Sequence, residues 1–563
     1  MSTARPTVVH GIGVSPGRAV APCVLLPEPV GEPPSGRRLA PGDDHAAAAE
    51  QISRAALRVQ SMLEEAADRA QGESEELLRA TATIAADPSL VADAEHRVLA
   101  DHLVPERAVW EAAEAVSAQF EALGGYFAER TRDIADVRDR LVAELTGRPA
   151  PGVPEHAEPF VLVAPDLAPA LTATLDPARV VGIVTGAGGP TSHTAILARA
   201  LGIPAVVAAR GITEQLAEGD LVLVDGSHGT ATVHPDEAQV AATRAASAQA
   251  RTFDGEGRTA DGHRVELLAN VGDPRDAAVA AAAGAEGVGL LRTEFGFLDR
   301  DEAPSVAEQV AAYRQVLAAF PGRKVVIRTL DAGADKPMPF LTSDTEANPA
   351  LGVRGLRTAQ DHPEVLEDQL TAIAEAAAAE SSRVWVMAPM VATVDESEDF
   401  VARCARHGLD VAGVMVEVPS AALLAGRILA SAKFASIGTN DLTQYTMAAD
   451  RLLGAVAELS DTWQPAVLQL VAATCAGGAQ QDRPVGVCGE AAASPALAVV
   501  LVGLGVTSLS MTPRALADVA AVLGAVTVDD CRRAAQLALS APTAAAARDR
   551  VRSALPVLDE LGL

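Results

Sequence analysis

The chain has 563 residues, 49% of them hydrophobic, which is ample for several packed domains and marks a globular protein. Its formal net charge of -29 excludes a nucleic-acid binder, whose partner's phosphates demand a basic surface. Five scattered cysteines, Cys23, Cys404, Cys475, Cys488 and Cys531, include no CxxC pair; this excludes a disulfide framework and a cysteine zinc site and suits a reducing cytoplasm.

Taken in chain order, residues 1–11 show no basic-then-apolar leader pattern, and 8–20 read as β-like. Residues 27–42 and 147–154 are rich in Pro and Gly and read as linkers. Between them, 46–144 carries helical periodicity, with Ile52, Ala55, Ala56, Val59, Leu63 and Ala66 on one face, so a helical bundle is expected. Residues 41–150 hold 22 Asp and Glu against 11 Arg, a net of about -11. That surface is either a solvated acidic face or a docking face for a basic partner.

Short β-like pieces follow at 160–164, 180–185, 205–208, 221–225 and 230–233. Together with 8–20 they predict one small α/β domain, residues 1–26 and 150–234, interrupted by the bundle at 27–149. A connecting helix is expected within 235–260, starting at Pro235 with Asp236 and Glu237 in its first turn and ending near Gly255. From 261 to 563 the pattern turns regular. Candidate strands at 267–271, 287–291, 325–328, 383–387, 413–416, 434–438, 484–487 and 507–510 are each followed by a helix-length segment. Eight such repeats in about 300 residues predict a (β/α)₈ TIM-type barrel, and in that fold chemistry sits at the C-terminal strand ends. The longest apolar stretch, 497–509, is broken by Gly503 and Gly505, so no membrane span is expected.

The residues just past those strands are Asn270, Arg292-Thr293-Glu294, Arg328-Thr329-Leu330-Asp331, Glu417, Asn440-Asp441 and Cys488-Gly489-Glu490. Glu417 and Asp441 end neighbouring apolar runs, and two such carboxylates suit a hard cation such as Mg²⁺. Arg292 and Arg328 can clamp a phosphate and a carboxylate bidentately, although a single Arg after a strand equally serves a structural salt bridge. Cys488 is a thiol beside these charges, able to pass a proton or to act as an inert small apolar group. Upstream, Gly188-Gly189-Pro190-Thr191-Ser192-His193 places an imidazole after a glycine turn at a helix start. There backbone N–H groups favour an anion, so His193 suits carrying a phosphoryl group or, more simply, capping the helix. No GxxxxGK[ST] loop occurs, and ATP is not implied.

At these residues the chain resembles the phosphoenolpyruvate-utilising enzymes, most closely the enzyme I family of the sugar phosphotransferase system. The resemblance runs through Gly11-Ile12-Gly13-Val14-Ser15-Pro16-Gly17, Thr191-Ser192-His193-Thr194, Leu290-Leu291-Arg292-Thr293-Glu294-Phe295, Arg328-Thr329-Leu330-Asp331, Asn348-Pro349-Ala350-Leu351-Gly352, Gly438-Thr439-Asn440-Asp441-Leu442-Thr443-Gln444-Tyr445 and Cys488-Gly489-Glu490. It implies a swivelling α/β phosphohistidine domain with an inserted helical domain that docks the carrier protein HPr, then a barrel that binds phosphoenolpyruvate and forms a homodimer. It further implies His193 as phosphoryl acceptor, Arg292, Arg328, Asn440 and Arg451 as substrate contacts, Glu417 and Asp441 as Mg²⁺ ligands, and Cys488 as the acid that yields pyruvate. Two alternatives share parts of this pattern: a phosphoenolpyruvate synthase or pyruvate phosphate dikinase without its ATP domain, and a regulatory protein that binds phosphoenolpyruvate without turnover.

Overall fold

The computed structural model describes residues 6–15, 17–26, 31–40, 42–67, 73–123, 131–148, 156, 158–165, 167, 175, 179–189, 192–248, 251–298, 300, 302–332, 338, 340–341, 346, 348–450 and 454–563. Two compact units divide the chain, Met1–Ser247 and Ala248–Leu563. In the first, strands β1 (Thr7–His10), β2 (Ile12–Ser15), β3 (Arg18–Leu25), β4 (Phe160–Ala164), β5 (Val180–Thr185), β6 (Ala205–Val207), β7 (Leu221–Asp225) and β8 (Thr230–Val233) make one sheet in the order β1-β8-β7-β3-β4-β5-β6-β2. The β-like run at 8–20 is therefore three strands, broken where the Gly11 N–H leaves to donate to the Gly229 carbonyl at 2.8 Å and where Gly17 takes a φ of 109°.

Side chains alternate across a strand, so this sheet has two apolar faces. Val161, Val163, Val184 and Val224 share one cluster. Leu162, Ala164 and Ile183 share the other, against which the helix His193–Leu201 packs Ala195 and Ala198. The sheet thus fixes the axis of the helix that His193 opens.

Among the described residues the helices His45–Ala67, Glu73–Ala85, Pro88–Asp101, Pro105–Leu123 and Thr131–Thr146 form the bundle. The first buries Ile52, Ala55, Ala56, Val59 and Leu63 as the periodicity predicts; Ala66 packs half-buried against the same core, and Ala67 beside it is fully buried. Asp87 caps the third helix, its carboxylate accepting from the Ser89 and Leu90 N–H groups at 2.8 and 3.2 Å. The connecting helix is Glu237–Ala248, shorter than the expectation of an end near Gly255.

In the second unit β9 (Glu266–Val271), β10 (Gly287–Leu291), β11 (Lys324–Arg328), β12 (Arg383–Ala388), β13 (Ala412–Val416), β14 (Ala435–Ile437), β15 (Val485–Val487) and β16 (Ser508–Met511) are parallel and close into a barrel through β16 and β9. Strands covered on both faces carry continuous apolar runs, and β10, β11, β13, β14 and β15 are buried at every position. The fold is an α/β multidomain one with a (β/α)₈ barrel at its C-terminal end.

In the first unit, the end of β7 is held by one carboxylate. Asp225 pairs with Arg18 at 2.5 Å and with the His228 imidazole at 2.9 Å, and accepts from the His228 N–H at 2.9 Å. Burial pushes its carboxyl upward, but the His228 hydrogen bond and the Arg18 charge outweigh this and hold it at about 2. A folded-state value below the unfolded one stabilises the fold above pH 4 and is lost as pH falls toward 2. Asp225→Asn is expected to cost about 2 kcal/mol at pH 7 and progressively less below pH 4, measured by hydrogen exchange of β7 and β8.

Candidate active site

Period-two alternation along the barrel strands sorts side chains into an outer set facing the helices and an inner set facing the axis. On β11, Val325 and Ile327 join the helix-facing core, whereas Val326 joins Leu290, Met387, Met415, Phe434 and Cys488 in an inner cluster. The inner set therefore has layers. At the base, Lys324 pairs with Glu266 and lies 4.6 Å from the Trp385 ring centre. At the other end, where the strands finish, the inner positions become Asn270, Arg328, Glu417 and Cys488.

Arg328 is the hub of that end. Its Nη2 donates to Glu294, and its Nη1 lies 3.0 Å from Asp331 and 3.7 Å from Glu417. Arg354 extends the network: Nη1 lies 3.1 Å from Asp441 and 3.2 Å from the Tyr445 hydroxyl, and Nη2 lies 3.3 Å from Asp331. Burial opposes the charge on each guanidinium, but the surrounding carboxylates outweigh it and raise both above the ordinary arginine range.

Glu417 follows β13, whose Val416 is in register with Ile437 of β14, so the two strand ends meet. Its Oε2 accepts from the Met390 N–H at 2.9 Å, offered by a backbone at φ 58°. Burial raises its carboxyl to about 8, helped by the negative charges of Asp331 and Asp441 and offset in part by Arg328. Gly438 is required beside it, since a methyl there would stand 2.8 Å from the Glu417 Cγ.

The structure thus brings Arg328, Glu417 and Asp441 into one buried network. Cys488 is 2% exposed, and its thiol faces the Ile437 carbonyl at 3.7 Å. Burial pushes the thiol up to about 11; a hydrogen bond with Ser436 and the arginine charges act the other way, and Glu417 reinforces the rise. Asn440 holds the turn after it, its Oδ1 accepting from the Glu490 N–H at 3.1 Å, while Asn270 donates to the Cys488 carbonyl at 3.0 Å. Arg292 is exposed at the rim, its backbone N–H bonded to Val271 at 2.9 Å. Arg451 lies outside the described residues.

His193 belongs to the other unit, as the first residue of its helix. Gly188 has a φ of 95°, the Ser192 N–H donates to Gly189 at 2.9 Å, and the Ser192 hydroxyl accepts from Ala195 at 3.3 Å, which shapes the turn before that helix. Pro190 and Thr191 lie outside the described residues.

Two members of the network escape a reading by strand ends. Arg354 follows a 3₁₀ turn (Pro349–Leu351) rather than a strand, and Tyr445 lies in the helix Thr439–Met447. The only sequence pointer to Arg354 is its place just after the Asn348-to-Gly352 run.

The donor set suits a hard divalent cation. Four buried carboxylates, Glu294, Asp331, Glu417 and Asp441, face two guanidinium groups among the described residues, and carboxylate oxygens are the ligands Mg²⁺ takes. Among the described residues, however, no three His, Cys, Asp or Glu side chains are gathered as a ready cage.

Fold and site define a (β/α)₈-barrel protein with a buried network of charged groups at its strand ends. Three family descriptions match the chain in succession: the N-terminal domain of PEP-utilising enzymes over residues 10–130, their mobile domain over 156–229 and their PEP-binding domain over 246–527. A phosphoenolpyruvate-protein phosphotransferase of Streptomyces coelicolor is 50% identical over 557 residues, 98% of this chain and 99% of that protein. A protein of the same name from Haloferax volcanii is 42% identical over 457 residues, 79% of this chain and 80% of its own. A solution structure of an Enzyme I protein matches 42% of this chain and 97% of its own at 31% identity, with a TM-score of 0.37. The chain belongs to the phosphoenolpyruvate-protein phosphotransferase family of the PEP-utilising enzymes.

Removing one partner from a buried ion cluster leaves the others uncompensated. Arg328→Met is expected to destabilise the barrel unit by about 3–5 kcal/mol. Adding Glu294→Gln should recover part of that loss, which a double-mutant cycle in denaturant unfolding measures directly.

Proposed function

We propose that this chain takes the phosphoryl group of phosphoenolpyruvate onto His193, passes it to a histidine of the carrier protein HPr and releases pyruvate, the first step of a sugar phosphotransferase system. The observation that carries this reading is the buried meeting of Arg328, Glu417 and Asp441 at the strand ends beside a protonated thiol. The printed name of a relative that is 50% identical over almost the full chain supports it.

Arg328 from within the network and Arg292 from the rim neutralise the substrate's phosphate and carboxylate, and Asn440 and Arg451 orient it. Glu417 and Asp441 would hold Mg²⁺, which when bound supplies further neutralisation of phosphate charge. An imidazole nitrogen of His193 attacks phosphorus: the P–N bond forms as the P–O bond to the enol oxygen breaks, and the electron pair leaves with the enolate. Phosphoryl transfer of this kind needs mainly positioning and charge stabilisation. Cys488 then donates its proton to the enolate carbon, giving pyruvate, and recovers a proton from water. A thiol pushed up to about 11 carries its proton at neutral pH, as a donor must.

His193 and the barrel residues lie in different compact units, so transfer requires the α/β unit to swing toward the barrel and away again. The negatively charged bundle is the docking surface for HPr. A homodimer forms through the barrel, whose exposed Phe295, Leu351 and Leu423 offer apolar surface. Among the described residues no helix is long and apolar enough to cross a membrane, which accords with a cytoplasmic enzyme.

Labelled phosphoenolpyruvate with Mg²⁺ and no ATP should give an acid-labile, base-stable label on the chain and none on His193→Ala. Label persisting on that variant would place the acceptor elsewhere. Cys488→Ala is expected to slow pyruvate release by about 10²-fold or more, read by coupled pyruvate assay, with little change in substrate affinity.

A further inference from the structure

Arg354 bridges Asp331 and Asp441. Each of its terminal nitrogens meets a different carboxylate, Asp441 at 3.1 Å and Asp331 at 3.3 Å. The residue is 4% exposed, so this contact is made away from water, where charge pairing is strong. Its Nε, like the Nε of Arg328, is buried with no hydrogen-bond partner among the described residues. A buried donor without an acceptor is costly, and Arg354 is therefore poised to move toward an anion.

We propose that Arg354 is a resident competitor of the divalent ion: it clamps Asp441 to Asp331 whenever the ion is not bound, and its release couples ion binding to substrate binding. The proposal rests on the reading of Glu417 and Asp441 as the ion's ligands. An ion that takes Asp441 frees an Arg354 nitrogen for the substrate's phosphate or carboxylate. A substrate anion that draws Arg354 away uncovers Asp441 for the ion. Each event favours the other, as reciprocal linkage requires.

The test uses the full chain in the His193→Ala background, where the proposed acceptor is absent, with Mn²⁺ as probe and free Mn²⁺ counted by electron paramagnetic resonance. The unclamped form, Arg354→Met, should bind Mn²⁺ alone at least about tenfold more tightly than the Arg354 parent, within the range usual for coupled sites. Phosphoenolpyruvate should tighten Mn²⁺ binding to the parent by a similar factor and tighten it much less in Arg354→Met. A purely structural role predicts the opposite sign, weaker Mn²⁺ binding on removal of Arg354. Should Arg354→Met fail to fold by circular dichroism, Arg354→Lys keeps the charge but spans the two carboxylates poorly, and its Mn²⁺ affinity should still exceed that of the parent. Affinity for Mn²⁺ alone that is unchanged or weaker in the folded variant, while Asp441→Asn abolishes it in the parent, overturns the clamp alone. Absence of Mn²⁺ binding in every form, with or without phosphoenolpyruvate, overturns the ligand assignment and the clamp with it.

Discussion

Charges withdrawn from water persist only where they balance one another, and the top of this barrel depends on that balance. Glu294 follows β10, Arg328 and Asp331 end β11, Glu417 follows β13 and Asp441 opens the helix after β14. Arg328 pairs with Asp331 just past its own strand, with Glu294 from the neighbouring strand and with Glu417 from two strands away. Closure of the sheet and satisfaction of the charges therefore occur together. Once closed, the network holds its arginine in place by ionic contacts on several sides, which is the preorganisation that charge-stabilising chemistry demands.

Much of this arrangement was readable in the amino-acid order, for a physical reason. Parallel strands sandwiched between an interior and a helix layer show as uninterrupted apolar runs, so all eight barrel strands fall within a residue or two of their expected places. A charged residue at the end of such a run stands out against its surroundings, as Arg328 and Glu417 do. Arg354 did not stand out, because a 3₁₀ turn leaves no periodicity to read, and its importance comes from two carboxylates distant in sequence. The end of the connecting helix at Ala248 was missed for a related reason: alanine-rich helix has no sharp stop signal until a glycine or proline arrives.

The first unit follows a different logic. Its sheet mixes parallel and antiparallel neighbours, and the amino-terminal strands enter by pairing at both edges, β1 on β8 and β2 on β6. A single glycine between them lets the chain cross from one edge to the other. The helix opened by His193 is then held by small alanines against one face, which leaves its first turn to the chemistry of the loop before it.

The layering of the barrel interior has a further consequence for Cys488. Below the thiol lie Val326, Met387, Met415 and Phe434, and beneath these the Lys324 ammonium closes the floor with Glu266 and Trp385. Ser436, Ser508 and Ser510 line a small cavity at this floor beside Lys324, Trp385 and Phe434. Whatever molecule rests in the mouth becomes the lid over the sulfur, and occupancy of the site doubles as chemical protection of the thiol.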